Sequence, residues 1–208
     1  MALETPSQKI PIRIDWTKDT AGVVKTQIVM NSNDFFTSST EISDSIKEFK
    51  KRYLALVKKA RKILPQNKAV YKNKNSKRRS KKNIKRSASV YWKVGNLFRK
   101  FNKNIEHEFE ITNYNAALEH DFGLSQTYVN ELIIFASLFN EKEVDDFIPI
   151  SVYRELVWKK IQLEEIGELE KEKSRLLQRA KNKERIFNHK SYRKELQLLV
   201  NSGVEESK

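Results

Sequence analysis

The chain has 208 residues, 38% of them hydrophobic and 33% charged, with a formal net charge of +14. Its 11 Phe, 7 Tyr and 3 Trp can fill a core, which excludes global disorder, and its lack of cysteine excludes disulfides and thiolate metal sites. No apolar run approaches the roughly 20 residues of a membrane span, and the N-terminus lacks the order of a secretory signal, so we expect a cytoplasmic protein without a membrane partner.

Residues 10–30 predict a β-hairpin. Ile10, Ile12 and Ile14 alternate with other residues at the period of a strand, and turn-forming residues at 18–22 precede a second β-branched run. From residue 40 the apolar period becomes helical, with Lys and Arg on the opposite face, and Pro65 ends the helix. With only five glycines and four prolines in the chain, long helices are favoured after the hairpin.

Positive charge is concentrated in one part of the chain. Residues 47–103 hold 22 Lys or Arg and one acid, whereas residues 104–170 hold 4 bases and 15 acids. Such a basic segment needs a polyanionic partner, and nucleic acid is a common one. Residues 68–86 have few large apolar side chains and predict an exposed arm. The candidate phosphate-binding residues lie there: Lys72, Lys74, Lys77, Arg78, Arg79, Lys81, Lys82, Lys85 and Arg86.

Residues 114–139 predict two helices joined by a tight turn at Gly123, which is typical of a helix-turn-helix. Ser125 is the expected N-cap of the second helix. We expect the start of that helix to be exposed, including Glu131, and to read bases through five residues because Gln and Asn can bond to adenine while Thr and Tyr reach phosphates or thymine methyls. The five candidate base-reading residues are Ser125, Gln126, Thr127, Tyr128 and Asn130. An ordinary helical hairpin is the alternative.

The remaining patterns indicate helices rather than catalytic sites. Trp158 is expected to be a packing anchor, and Arg154 to bind either a phosphate or an acid, which would be Glu155 or an acid of a neighbouring helix. No serine has a general base at a recognisable spacing, the three histidines show no ligand spacing, and no glycine-rich phosphate loop exists. We therefore predict no enzyme, no cofactor and no metal site.

The predicted fold class is mainly α, a helix-turn-helix bundle with a small N-terminal β-hairpin. Five segments follow from the patterns. They are a β element or arm (1–39), a basic amphipathic helix (40–66), a basic linker or arm (67–88), a helix-turn-helix domain (89–166) and charged C-terminal helices (167–208).

Three short motifs carry a family resemblance: Tyr91-Trp92-Lys93-Val94-Gly95, residues 122–129, and Ser151-Val152-Tyr153-Arg154-Glu155-Leu156. The stretch from about Tyr91 to Leu156, which contains these motifs, resembles the helical, winged-helix-like N-terminal domain of a group of uncharacterised bacterial proteins. The C-terminal half of those proteins is a restriction-like nuclease. The stretch is more distantly similar to the helix-turn-helix of centromere-binding plasmid partition proteins. The nuclease half has no counterpart in this chain, so the resemblance implies DNA binding without cleavage.

These observations predict a DNA-binding protein that reads bases with the helix-turn-helix and contacts phosphates with the basic arm. Transcription regulation is the first expected role and plasmid or chromosome partition the second. We expect a homodimer, because such proteins gain affinity from two half-sites. It would associate with the nucleoid in the cytoplasm, or lie in the nucleus if the source is eukaryotic. The alternatives are an RNA-binding protein, or a protein-interaction adaptor whose basic segment directs localisation.

Overall fold

The computed structural model describes residues 9–18, 24–30, 40–64, 87–112, 114–182 and 188–206. Within these ranges the chain is mainly helical with a small sheet near its N-terminus, which confirms the predicted mainly α class. Contacts divide the chain into two compact units. Unit 1 comprises residues 1–62 and 97–129, and unit 2 comprises residues 63–96 and 130–208.

Unit 1 contains the sheet. Strands β1 (Ile10–Lys18) and β2 (Val24–Met30) pair antiparallel, with Ile14 opposite Ile28, which confirms the predicted hairpin. The turn predicted at 18–22 falls largely outside the described residues. A third strand that the sequence did not predict, β3 (Phe109–Thr112), pairs parallel with β1 and gives the strand order β2-β1-β3.

The first helix supplies the aromatic core of unit 1. Helix α1 (Thr40–Ile63) turns Phe49, Tyr53 and Ala60 inward at helical spacing, and all three are fully buried. The Phe49 ring contacts Phe109 of β3 at 5.1 Å between centroids. Burying an aromatic side chain of this kind stabilises a fold by about 1.5 to 3 kcal/mol. The apolar face of α1 thus holds the sheet, and its lysines remain on the other side.

Three further helices lie within residues 88–138, with β3 between the first and the second. Helix α2 (Ala88–Ile105) contributes its first nine residues to unit 2 and the rest to unit 1. Helix α3 (Tyr114–Phe122) belongs to unit 1 and packs on β1. Helix α4 (Gln126–Leu138) begins in unit 1 and continues in unit 2 from Asn130. The predicted pair of helices around Gly123 is therefore present.

Close packing of α2 on α4 explains the first of the three motifs. In unit 2 the indole N–H of Trp92 donates to the carbonyl of Phe139 at 2.6 Å. A Cβ added to Gly95, one turn further along α2, would lie 2.0 Å from the carbonyl oxygen of Leu132. Glycine is therefore required at position 95, although it costs about 1 kcal/mol relative to alanine within a helix.

Three helices complete unit 2. They are α5 (Ile150–Glu165), α6 (Leu169–Lys181) and α7 (His189–Glu206), and a short 3-10 helix at Glu141–Glu143 precedes them. Gly167 lies between α5 and α6 with φ of +70°, so this glycine divides the two helices. None of the helices in the described ranges combines the length and hydrophobicity that a bilayer crossing requires.

The third motif ties α5 to its neighbours within unit 2. Tyr153 is fully buried, and its hydroxyl accepts the backbone N–H of Asp145 at 3.0 Å. Glu155 accepts two hydrogen bonds from Arg193 of α7, both at 2.8 Å. One turn further along α5, Lys159 bonds Gln197, which is also one turn further along α7 than Arg193. Helices α5 and α7 therefore run parallel.

Candidate nucleic-acid interface

The turn between α3 and α4 has the geometry that the sequence predicted. Gly123 has φ of +66°, a left-handed conformation that side chains rarely adopt, and its N–H donates to the carbonyl of Glu119 at 2.9 Å. Ser125 then caps α4, because its Oγ accepts the backbone N–H of Tyr128 at 3.3 Å. The cap leaves the first turn of α4 as an exposed polar end.

The five candidate base-reading residues differ in their exposure. Ser125, Thr127 and Asn130 are exposed, whereas Gln126 and Tyr128 are half-buried. Thr127 and Asn130 are three residues apart and lie on one face of α4. The structure thus brings Thr127 and Asn130 to the surface together. Gln126 and Tyr128 are less accessible than the sequence indicated.

Glu131 corrects the sequence prediction, which expected it on the exposed start of α4. It is only 8% exposed, and its carboxylate accepts Arg154 Nε and Trp158 Nε1, each at 2.7 Å. Arg154 therefore binds an acid of a neighbouring helix, one of the two alternatives. Trp158 is 47% exposed rather than a buried packing anchor, with the guanidiniums of Arg154 and Arg193 5.0 and 5.3 Å from its ring.

A second acid near the turn is also withdrawn from the surface. Asp121 is buried at the end of α3 and accepts the Tyr53 hydroxyl at 2.7 Å and the Arg61 guanidinium at 3.2 Å. Burial and the charge of Asp121 raise the pKa of Tyr53, so this phenol stays protonated and donates. Arg61 also donates to the carbonyl of Asp121 at 2.9 Å, which links α1 to α3 within unit 1.

In contrast to these buried, paired acids, several lysines on α1 and α2 are exposed and make no ion pair in the described residues. Six exposed lysines of unit 1 make no ion pair with any carboxylate in the described part of the chain: Lys50, Lys58, Lys59, Lys62, Lys100 and Lys103. The two on α2 were not among the predicted site residues. Their positions could have been found, because Lys100 and Lys103 alternate with Phe98 and Phe101, whose rings define the buried face.

The predicted phosphate-binding residues, from Lys72 to Arg86, lie outside the described residues. Their role stays a prediction. They come after α1 in the sequence, and the last two turns of that helix hold Lys58, Lys59 and Lys62.

In the described ranges, no three acidic or histidine side chains lie close enough together to hold a metal ion. One of the three histidines, His120, lies beside Asp121, with 3.1 Å between Nδ1 and the carboxylate.

No protein-family model, curated protein or solved structure shows significant similarity to this chain. The resemblance to the two bacterial families therefore stays a prediction that depends on the three short motifs.

Proposed function

We propose that this protein binds double-stranded DNA, with the first turn of α4 in the major groove and the lysines of α1 and α2 on phosphates. Asn130 can bond bidentately to adenine, and the Thr127 methyl can contact the methyl of thymine. Ser125, Gln126 and Tyr128 would fix the orientation of the helix through hydrogen bonds to the backbone. The proposal is one of binding without catalysis.

The observation that carries this proposal is a contrast in ion pairing between the acids in and beside the motif and the lysines of α1 and α2. Exposed acidic side chains in and beside the motif would oppose DNA binding, because phosphates repel carboxylates. The three acids are Glu119, Asp121 and Glu131. Asp121 and Glu131 are buried and paired with arginines, so Glu119 is the exposed acid of this set. The six unpaired lysines of α1 and α2 are exposed, and neither of the two buried acids opposes a bound phosphate at the surface.

The expected energetics divide into two parts. Lysines that neutralise phosphates release counterions, and contact with about eight phosphates gives a slope of log affinity against log salt near −7. Each good bidentate base contact adds about 1 to 3 kcal/mol of discrimination between base pairs. The first part supports binding to any duplex, and the second gives preference for a site.

Self-association is part of the proposal, because one reading helix contacts one half-site and two copies contact two. Transcription regulation is the proposed role, with plasmid or chromosome partition as the second. Sedimentation of the complex with a selected duplex should give two protein chains for each duplex. A stoichiometry of one chain per site would remove the dimer from the proposal and leave the DNA contact intact.

The test of base readout is selection of preferred duplexes from a random pool, followed by anisotropy titration. Thr127→Ala/Asn130→Ala should lose most of the preference, about 10-fold or more, and retain affinity for unrelated duplex. Ser137→Ala is the matched control, since Ser137 is exposed near the other end of α4 and bonds only its own helix, at the carbonyl of Ile134. An unaltered preference in the double variant would contradict base readout by α4.

The predicted arm needs a separate test. Replacement of its nine bases between Lys72 and Arg86 by Gln should reduce affinity for any duplex and leave the sequence preference unchanged. Competition between duplex DNA and structured RNA, with equal phosphate concentrations, should favour the duplex. Stronger competition by the RNA would replace DNA with RNA as the partner.

A further inference from the structure

Helices α6 and α7 form an open cleft of about 530 Å³ in unit 2. Four of its lining residues lie on α6 or directly after it at positions i, i+3, i+4 and i+7, so they share one helical face. The fifth comes from α7. The lining residues are Arg175, Gln178, Arg179, Asn182 and Glu195. All five of these described lining residues are polar, which favours a ligand recognised through hydrogen bonds and charge.

The two guanidiniums of the cleft are held in fixed positions. Arg175 donates to Glu172 at 3.2 Å and to Glu195 at 2.7 Å, and Arg179 donates to the same Glu195 at 2.9 Å. Glu172 is itself only 3% exposed and lies beside the buried Tyr192, so its carboxylate is part of the core. An arginine positioned by a buried acid loses less conformational entropy when it binds a ligand.

The chemistry of the lining favours an oxyanion. Each guanidinium has five N–H donors in a planar fork, and the hydrogen bonds above leave donors of Arg175 available. The amides of Gln178 and Asn182 add neutral donors. Among the lining residues that the structure describes, Glu195 is the one anionic side chain, against two cations. A tetrahedral anion with several acceptor oxygens matches this set of donors.

We propose that this cleft binds a phosphate group, with Arg175 and Arg179 as the principal donors and Glu195 as the side chain that the anion displaces. This inference rests on the proposed function for the source of the phosphate, which is the backbone of the bound duplex. It adds a second contact region to the lysines of unit 1. Free phosphate and the phosphodiester share the same chemistry, and the experiment distinguishes them.

Two opposing effects decide how strongly the anion binds. The C-terminal end of α6 carries partial negative charge from its unpaired carbonyls, which disfavours an anion, although Arg179 and Lys181 in the last turn offset it. Glu172 accepts a hydrogen bond from Arg175, whereas Glu195 accepts hydrogen bonds from both arginines. Glu195 is then the main competitor, and its removal should increase phosphate affinity.

The first experiment titrates inorganic phosphate into the full chain at constant ionic strength and follows the arginine side-chain Nε–H signals by NMR. The signals of Arg175 and Arg179 should shift with saturation. Glu195→Gln should lower the apparent Kd by about 10-fold, and Arg175→Gln/Arg179→Gln should abolish saturation. A network with only a structural role predicts the opposite for Glu195→Gln, which would then loosen both arginines and gain no affinity.

The second experiment measures duplex affinity over a range of salt concentrations. Arg175→Gln/Arg179→Gln should make the slope of log affinity against log salt shallower by up to about 1.8, at ~0.9 per phosphate. Lys171→Gln is the matched control, because Lys171 lies on the same helix, is exposed and pairs with Glu168 away from the cleft. Glu195→Gln should bind duplex more tightly, which a variant that merely unfolds cannot do.

The outcomes separate this inference from the proposed function. Saturable phosphate shifts together with a shallower duplex slope support both the site and its source. Saturable phosphate shifts support a site for free phosphate but overturn the DNA backbone as its source in two cases. In the first, Arg175→Gln/Arg179→Gln has the same salt slope as Lys171→Gln. In the second, the wild type does not bind duplex. No saturable shift in wild type or Glu195→Gln overturns the site, even when the wild type binds duplex through α4.

Discussion

The two compact units use charge differently. In the described residues, unit 1 carries 15 Lys or Arg against 9 Asp or Glu, whereas unit 2 carries 13 against 14. All four described arginines of unit 2 pair with carboxylates. In unit 1, six exposed lysines of α1 and α2 make no ion pair with a carboxylate in the described residues. Ion pairs between side chains stabilise a fold, whereas unpaired charges of one sign can bind a charged ligand. The net charge of the whole chain does not distinguish these two roles.

The contrast begins within a single helix. At the start of α4, Thr127 and Asn130 are exposed polar residues that make no contribution to the core. The next residue, Glu131, is buried and bound to Arg154 and Trp158 of α5. One position along the helix rotates the side chain by about 100° and changes its surroundings from solvent to protein.

The largest effect should come from Gly95→Ala, which tests the close packing that frames unit 2. The new Cβ would meet the Leu132 carbonyl at 2.0 Å, and backbone cannot move aside as a side chain can. We expect a loss of about 3 kcal/mol or more in the free energy of unfolding, measured by urea titration.

Gly203→Ala is the control for that change. Its Cβ would meet side-chain atoms of Ile166, Cδ1 at 2.9 Å and Cβ and Cγ2 at 3.1 Å, so Ile166 must shift by a few tenths of an ångström. The higher helix propensity of alanine, about 1 kcal/mol relative to glycine, offsets part of this cost. The loss should be below about 1 kcal/mol. Equal losses at the two glycines would contradict the role given to the α2–α4 contact.

Glu131→Ala should have the next largest effect, about 2 to 3 kcal/mol. It removes the acceptor of both Arg154 and Trp158, and removal of one partner of a buried pair costs about 3 to 5 kcal/mol, reduced here because Arg154 is one-third exposed. Glu164→Ala, which removes an exposed i,i+4 pair with Lys160, should cost less than about 0.5 kcal/mol. Similar values would show that unit 2 does not depend on its buried pairs.

A smaller effect is expected at Asp146, which caps the start of α2 within unit 2. Its carboxylate accepts the backbone N–H of Ser89 at 2.8 Å and the Ser89 hydroxyl at 3.0 Å. Burial alone would raise the pKa of Asp146, but the hydrogen bonds from Ser87 and Ser89 prevail and lower it below its usual 3.8. The folded state thus binds the proton less well than the unfolded state.

The sign of the pH dependence follows. The stabilisation by Asp146 is present above the usual carboxyl pKa and is lost as the pH falls through the lowered value. Asp146→Ala should therefore cost about 1 kcal/mol at pH 7, and the difference from wild type should shrink in acid. A difference that stays constant between pH 7 and pH 2 in urea titrations would contradict the cap.

Local patterns in the sequence predicted most of the fold. The alternation at Ile10, Ile12 and Ile14 predicted β1, and the apolar pattern on either side of the turn at Gly123 predicted α3 and α4 within a few residues. Strand β3 was missed because four residues show too little alternation. Its partner β1 also lies about a hundred residues earlier in the chain, and a parallel pairing leaves no turn signal between its strands.

The burial of individual charged residues could not be predicted in the same way. Asp121 and Glu131 look like surface acids in sequence, because their partners lie 60 and 23 residues away at Arg61 and Arg154. Only the tertiary structure brings each acid to its arginine. The candidate base-reading residues were predicted from the turn signal at Gly123, which is local in sequence. Which of them are exposed and which are half-buried could not be predicted from that signal.

The salt dependence of duplex binding tests the central claim most directly, with Lys58→Gln/Lys62→Gln compared to Lys47→Gln/Lys51→Gln. Both pairs lie four residues apart on α1 and remove the same charge, but Lys47 and Lys51 pair with Asp44 and Glu48. Between about 50 and 200 mM salt, the unpaired lysines should reduce the steepness of the slope by up to about 1.8, and the paired ones should leave it nearly unchanged. Equal slopes in the two variants, or wild-type affinity that does not respond to salt, would contradict the assignment of the unpaired lysines to phosphate binding.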